Sequence, residues 1–398
     1  MADLRMLFIR LSLLVATSVV LAVSSAIAAP FTAGNVVVCR VGDGAAALTS
    51  AATPVFLDEF TPAGTLVQSI AMPTAVSGSN QILTVAGTST NDCTLTRSSN
   101  GSYLLIAGYT APVGTAAVAG TTSAAFPRVI GRIDANGVVD TSTTTTAFST
   151  ANIRSATSDN GTNIWAVGSA SGVVYTTLGG SGAGTVVSNT ATNLRVINNF
   201  GGQLYVSSGA GSIRLGAVGT GLPTANGTTT TTLGGMPATT ATYNGFFFAD
   251  LDAGVAGLDT LYIANDAAVN TPPNLTSGGI LKFARVGPDT WAYNGTFAAV
   301  AGPPAITQAS FFGLAGSASG NIVTLYFTKG AQLLRVVDGT GYNAVPTANM
   351  SQIATNAANT LFRSVALVPS GGVVPPTVRS PFDFDGDGQT NGDEWLYL

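Results

Sequence analysis

From Asn35 onward the apolar residues fall in short runs broken by Asn-Gly, Gly-Gly and Asp-Gly pairs. Runs rich in Val, Ile, Thr, Tyr and Phe, closed by such turn formers, predict strands and hairpins. The helical period is nearly absent after the first segment.

The runs recur in a fixed order of four. One unit reads "CTLTRSSNG", "SYLLIAGY", "RVIGRIDANG", "VVDTSTTTT". The next reads "IRSATSDNG", "TNIWAVGS", "GVVYTTLGG", "GTVVSN". Three more follow, opening on "LRVINNFGG", "GFFFADLD" and "FFGLAGSASG". A four-strand unit recurring every ~40–65 residues is the signature of a β-propeller. The N-terminal region supplies three strands, "NVVVCRVG", "VFLDEF" and "TLVQSIAM", and "LFRSVALVP" supplies a fourth. Joined, they complete one blade from both ends of the chain and leave no open sheet edge. The expectation is an all-β chain, a single propeller of six four-stranded blades. A seventh blade would need strands hidden near Val113–Ala125 or Ala267–Ser277. A sandwich or a β-solenoid would use the same strand inventory. The Thr runs Thr143–Thr146 and Thr228–Thr232 suit outer strands or loops, because Thr tolerates a solvated pleat. Phe246–Phe248 suits blade core, with Phe247 on the opposite face from its neighbours.

The first 28 residues read differently. Arg5 and Arg10 precede an apolar run, Leu11–Val23, and "AIA" at 26–28 suits cleavage before Ala29. This predicts a signal peptide and an exported protein, the alternative being an uncleaved anchor. No later run is long enough to span a bilayer. The expected organisation is a signal at 1–28, a propeller at 29–370, a Pro/Gly linker at 371–382 and a terminal loop at 383–394.

The chain has 398 residues, of which 9% are charged. The loop holds Asp383, Asp385, Asp387, Asp393 and Glu394. Without these and the signal segment, 13 basic and 13 acidic residues remain. A neutral body without a polybasic run excludes nucleic acid and anionic membranes as expected partners. The chain contains no His, which excludes Ser-His-Asp and Cys-His nucleophile pairs and His-ligated metals.

"DFDGDGQTNGDE" fills every ligand position of a calcium loop. Asp383, Asp385 and Asp387 stand at positions 1, 3 and 5, and Gly388 permits the sharp turn. Gln389 would give its carbonyl, with Asn391 at position 9 and Glu394 as the bidentate ligand. Pro381 before the loop and the short "WLYL" after it deny the loop the flanking helices of an EF-hand. A lone loop of this kind binds calcium in the ~10⁻⁴–10⁻³ M range. Cys39 and Cys93 allow one intramolecular disulfide in an exported chain, and two buried thiols are the alternative.

Arg154, Arg195 and Arg363 occupy the same place in their units, "NIRS", "NLRV" and "LFRS". In a propeller that place lines the central channel, where three guanidiniums could hold a carboxylate or sulfate. The plainer reading pairs each with backbone or with an Asp of the next blade. Arg97 lies nearby but out of register. Asp250 and Asp252, two apart on an expected strand, would share a face and could hold a cation, or else serve as turn and cap residues.

"NVVVCRVGDGAAALTSAATPVFLDEF", "NIRSATSDNGTNIWAVG" and "GLDTLYIAND" resemble a group of uncharacterised secreted bacterial proteins. The terminal "RSPFDFDGDG" resembles the opening of an FG-GAP-type calcium repeat. The first resemblance implies export and a propeller body and carries over no catalytic residue. The expected role is a non-catalytic scaffold that binds a glycan or a cell-envelope component, with calcium on its tail. The alternative is a polysaccharide lyase or hydrolase with its site at the channel mouth.

Overall fold

The computed structural model describes residues 28–238, 241–268, 273–298, 305–307 and 310–370. The linker and the calcium loop lie outside them, as does all of the signal segment but Ala28. The chain is all-β, with six four-stranded antiparallel blades in a ring. The innermost strands are Leu361–Leu367 in blade 1, Thr96–Arg97 in blade 2 and Ile153–Ser158 in blade 3. They are Leu194–Phe200 in blade 4, Tyr243–Ala249 in blade 5 and Leu314–Ser319 in blade 6. The Thr runs form the outer strands Val139–Thr145 and Thr230–Thr232.

Alternation along each strand feeds two different cores. In Val36–Val41, the second strand of blade 1, Val37, Cys39 and Val41 pack toward blade 2 with Leu104 and Ile106. Val36 and Val38 pack toward blade 6 with Tyr326 and Leu333. Both faces of a blade are therefore dry, which is why its strands read as near-continuous apolar runs. One apolar cluster lies between each pair of neighbouring blades, six in all among the described residues.

Closure comes from the two ends of the sequence. Leu361–Leu367 pairs antiparallel with Val36–Val41, placing Val36 opposite Leu367 and Val38 opposite Val365. Blade 1 is then fastened to blade 2. Ser364 Oγ donates to the Cys93 carbonyl at 2.6 Å and accepts from Leu95 N–H at 2.7 Å. A disulfide joins Cys39 of blade 1 to Cys93, just before the inner strand of blade 2.

Two inserts contain no seventh blade in their described residues. Segment 113–125 contributes one 3-10 turn, Val118–Gly120. A two-stranded sheet pairs Ala52–Thr53 with Val85–Ala86, an element the hydrophobic pattern did not predict because each strand is two residues long.

Candidate functional site

The inner strands run in one direction, so the channel has two chemically distinct mouths. At the end where these strands begin stand Arg154, Arg195 and Arg363. At the end where they finish lies a cavity of about 260 Å³.

The structure brings the three arginines to one mouth but leaves little room between them. Arg154 donates through its terminal NH1 group to Asn193 Oδ1 at 2.6 Å and to the Leu194 carbonyl at 2.9 Å, both in the direction of blade 4. Arg363 donates to the Gly87 carbonyl at 2.7 Å. The Arg195 guanidinium lies against Gly209, where a Cβ would meet Nε at 2.5 Å, so a larger residue there would displace the guanidinium. Arg195 and Arg363 line one small cavity of about 10 Å³. The pKa of Arg154 and Arg363 falls to about 10, chiefly through burial, with the Arg195 charge contributing at Arg154. Behind them Asp92 is buried, accepting from Ser89 Oγ, Asn152 Nδ2 and Tyr109 OH. Burial raises its pKa against the effect of those three bonds.

The wide mouth was not legible as a site. It draws Thr96–Ser99 from blade 2, Asn198–Phe200 from blade 4, Phe246 and Phe247 from blade 5, and residues 314–316 and 365–367 from blades 6 and 1. Arg97 belongs here and not beside the other arginines. The inner strand of blade 2 is only Thr96–Arg97, so Arg97 stands at its finishing end. Its Nε donates to the Gly101 carbonyl at 3.0 Å and its terminal NH2 group to Ser370 Oγ at 2.6 Å. On the far side of Arg97 a second cavity of about 380 Å³ opens, lined by Phe31, Tyr326 and Pro369 among others.

Aromatic rings form one wall of the wide mouth. Phe246 and Phe248 are buried, and Phe247 is half-exposed on the other face. The Phe200 ring meets Phe247 edge-on at 5.9 Å. Gly316 allows Phe247 to lie there, since a Cβ would sit 2.5 Å from its ring. Opposite stand amides and hydroxyls. Asn199, 5% exposed, donates from Nδ2 to Ser99 Oγ at 2.9 Å, while its buried Oδ1 accepts no hydrogen bond. The residues lining this mouth include no carboxylate, Tyr, Cys or Lys. The paired asparagines of "VINNF", polar at the end of an apolar strand, were the available signal.

Asp250 and Asp252 do not share a strand face, because the strand ends at Ala249. Asp250 is exposed, and Asp252 Oδ1 accepts from Gly254 N–H at 2.9 Å within a turn. Asp259 caps the same turn, accepting from Leu251 and Asp252 N–H. No cluster of three acidic or thiol side chains fit for a metal occurs among the described residues. None of their helices is long and apolar enough to cross a membrane.

No protein-family model matches the chain, and no curated protein matches it. Solved structures resemble it at low identity. A chain of a nidogen/laminin complex is 10% identical, with 85% of this chain and 100% of that chain covered and a TM-score of 0.44. The Cps50 (Swd1) β-propeller domain of Myceliophteria thermophila is 11% identical, covering 70% of this chain and 91% of that one, TM-score 0.39. BamB from Moraxella catarrhalis is 11% identical over 81% of this chain and 70% of its own, TM-score 0.33. No ligand or activity carries over at these identities.

Proposed function

We propose that the protein is an exported, non-catalytic propeller that holds a neutral glycan chain of the cell envelope across its wide mouth, with calcium bound to its tail. The observation that carries this reading is the wide mouth itself. A sugar ring offers a C–H face and a rim of hydroxyls. Phe200 and Phe247 suit the first, and Ser99 and Arg97 suit the second. Two cavities meeting at Arg97 favour an extended chain over a single sugar. The lack of a carboxylate in that lining favours binding over glycoside hydrolysis, which uses a carboxylate pair. The Cys39–Cys93 disulfide suits an oxidising compartment outside the cytoplasm.

Retention on peptidoglycan sacculi, chitin and cellulose, with release of reducing ends measured alongside, tests this. Retention without released ends is expected, together with its loss in Gly316→Val, which drives Phe247 into the mouth. Retention unchanged in Gly316→Val and Asn199→Ala would overturn the assignment of the site. Release of reducing ends or unsaturated products would favour an enzyme.

A further inference from the structure

At the narrow mouth, cationic donors outnumber acceptors. The Nε–H groups of Arg154, Arg195 and Arg363 are all buried and all lack a hydrogen-bond partner. Arg214, Arg285 and Arg335 also carry an unpartnered Nε, but each stands at or in the third strand of a different blade. Only the first three converge on the channel. Arg363, 3% exposed, and Arg195 line one cavity, facing each other from blades 1 and 4, which oppose across a six-membered ring. A buried donor without an acceptor is costly, and a buried charge without a counter-charge more so.

Among the described residues no nearby carboxylate forms an ion pair with these arginines. The ion pairs of the described residues are Arg40–Asp58, Arg132–Asp140 and Lys282–Asp338, and none involves these arginines. Asp92 spends its oxygens on Ser89, Tyr109 and Asn152. Burial shifts both Asp92 and Asp266 toward the neutral acid. Three guanidiniums therefore meet at this mouth without a carboxylate in direct contact, and Arg154 and Arg195 repel each other.

We propose that the narrow mouth binds one monatomic anion, chloride in ordinary salt, between Arg195 and Arg363. The site accepts charge-assisted N–H bonds from two blades that are not neighbours. The space there is small, about 10 Å³, which favours a monatomic ion over sulfate, phosphate or a carboxylate. Asn244 and Thr94 complete the lining with neutral polar groups. The ion acts as a hub pin: it neutralises the centre of the ring and leaves the glycan mouth untouched.

The test is thermal unfolding of the full chain in sodium chloride or sodium bromide against sodium gluconate at constant ionic strength. Chloride and bromide are expected to raise Tm along a saturating curve, by about 2–4 °C at ~100-fold excess over Kd. Sulfate should act only through the unsaturating exclusion effect. Arg363→Met should remove the halide response while keeping a strand-dominated circular dichroism spectrum. If that variant does not fold, crystals of the wild type grown in bromide decide. An anomalous peak between Arg195 and Arg363 supports the site. Equal Tm in chloride and gluconate, or a bromide crystal with no anomalous peak there, overturns it.

Discussion

Asn199 Nδ2 of blade 4 donates to Ser99 Oγ of blade 2 across 2.9 Å, bypassing blade 3. Each residue belongs to the rim of the wide mouth, so this bond fixes the width of the opening. Asn199→Ala and Ser99→Ala are each expected to cost about 1 kcal/mol of stability. The double variant should cost clearly less than the sum, since both remove one bond. Urea unfolding of the four proteins gives the coupling directly. Strict additivity would show that the bond contributes nothing.

Reduction of Cys39–Cys93 acts through the unfolded chain. The cysteines are 54 residues apart, and the loop-entropy relation gives about 4 kcal/mol for that separation. Cys39→Ser/Cys93→Ser should lose about 2–4 kcal/mol in chemical denaturation. Thiol labelling of the unreduced, unfolded protein should find no free thiol.

Lys282 and Asp338, both fully buried, pair at 2.8 Å between blades 5 and 6. Tyr262 OH and Thr340 Oγ1 also donate to Asp338. Lys282→Met strands the carboxylate and is expected to cost about 3–5 kcal/mol. Lys282→Met/Asp338→Asn should recover part of that loss. Burial pushes the Asp338 carboxyl up, yet the bonds from Lys282, Thr340 and Tyr262 outweigh burial and hold it below its ordinary 3.8. A depressed folded-state pKa gives stability that is present above 3.8 and lost as pH falls through the lower value. The gap between wild type and Lys282→Met should therefore narrow below about pH 4, as read from Tm against pH.

Asp92 works in the opposite direction. Its folded-state pKa is raised, chiefly by burial, so its contribution is fully present below 3.8. That contribution is lost as pH rises through the raised value. Asp92→Asn does not titrate. Its Tm relative to wild type should therefore increase as pH rises above about 4. A constant or falling difference would contradict this assignment.

Calcium is expected to act through the tail. Thermal unfolding of residues 29–398 and 29–382 with and without ~1 mM calcium separates the possibilities. A response confined to the longer chain would assign calcium to Asp383, Asp385, Asp387, Gln389, Asn391 and Glu394. A response in both would point to the body, starting at Asp250 and Asp252.

The blades were readable because each is buried on both faces. A run such as "GILKFARVG" announces a core strand whatever surrounds it. The shared place of Arg154, Arg195 and Arg363 was readable for the same reason, since equivalent positions in a repeat meet at the axis. The wide mouth was not. It is built where inner strands end, and the ends differ: no residue type is common to all three of "RSSNG" in blade 2, "NNFGG" in blade 4 and "FFFAD" in blade 5. Arg97 is out of register with the other three in the sequence and in the structure, because only two residues of its strand are paired and it stands at the finishing end. Asp250 and Asp252 were set on a strand that ends one residue too early for them.

The pairing of Leu361–Leu367 with Val36–Val41 also dictates a timetable. A chain that emerges from its N-terminus forward must carry three strands of blade 1 through the assembly of five further blades. Throughout that interval Val36–Val41, almost wholly apolar, offers a bare edge to any other strand. Contacts of such sequence separation form slowly. A product interrupted before Leu361 would keep that edge permanently. For this ring the final strand marks the boundary between a closed sheet edge and a template for aggregation.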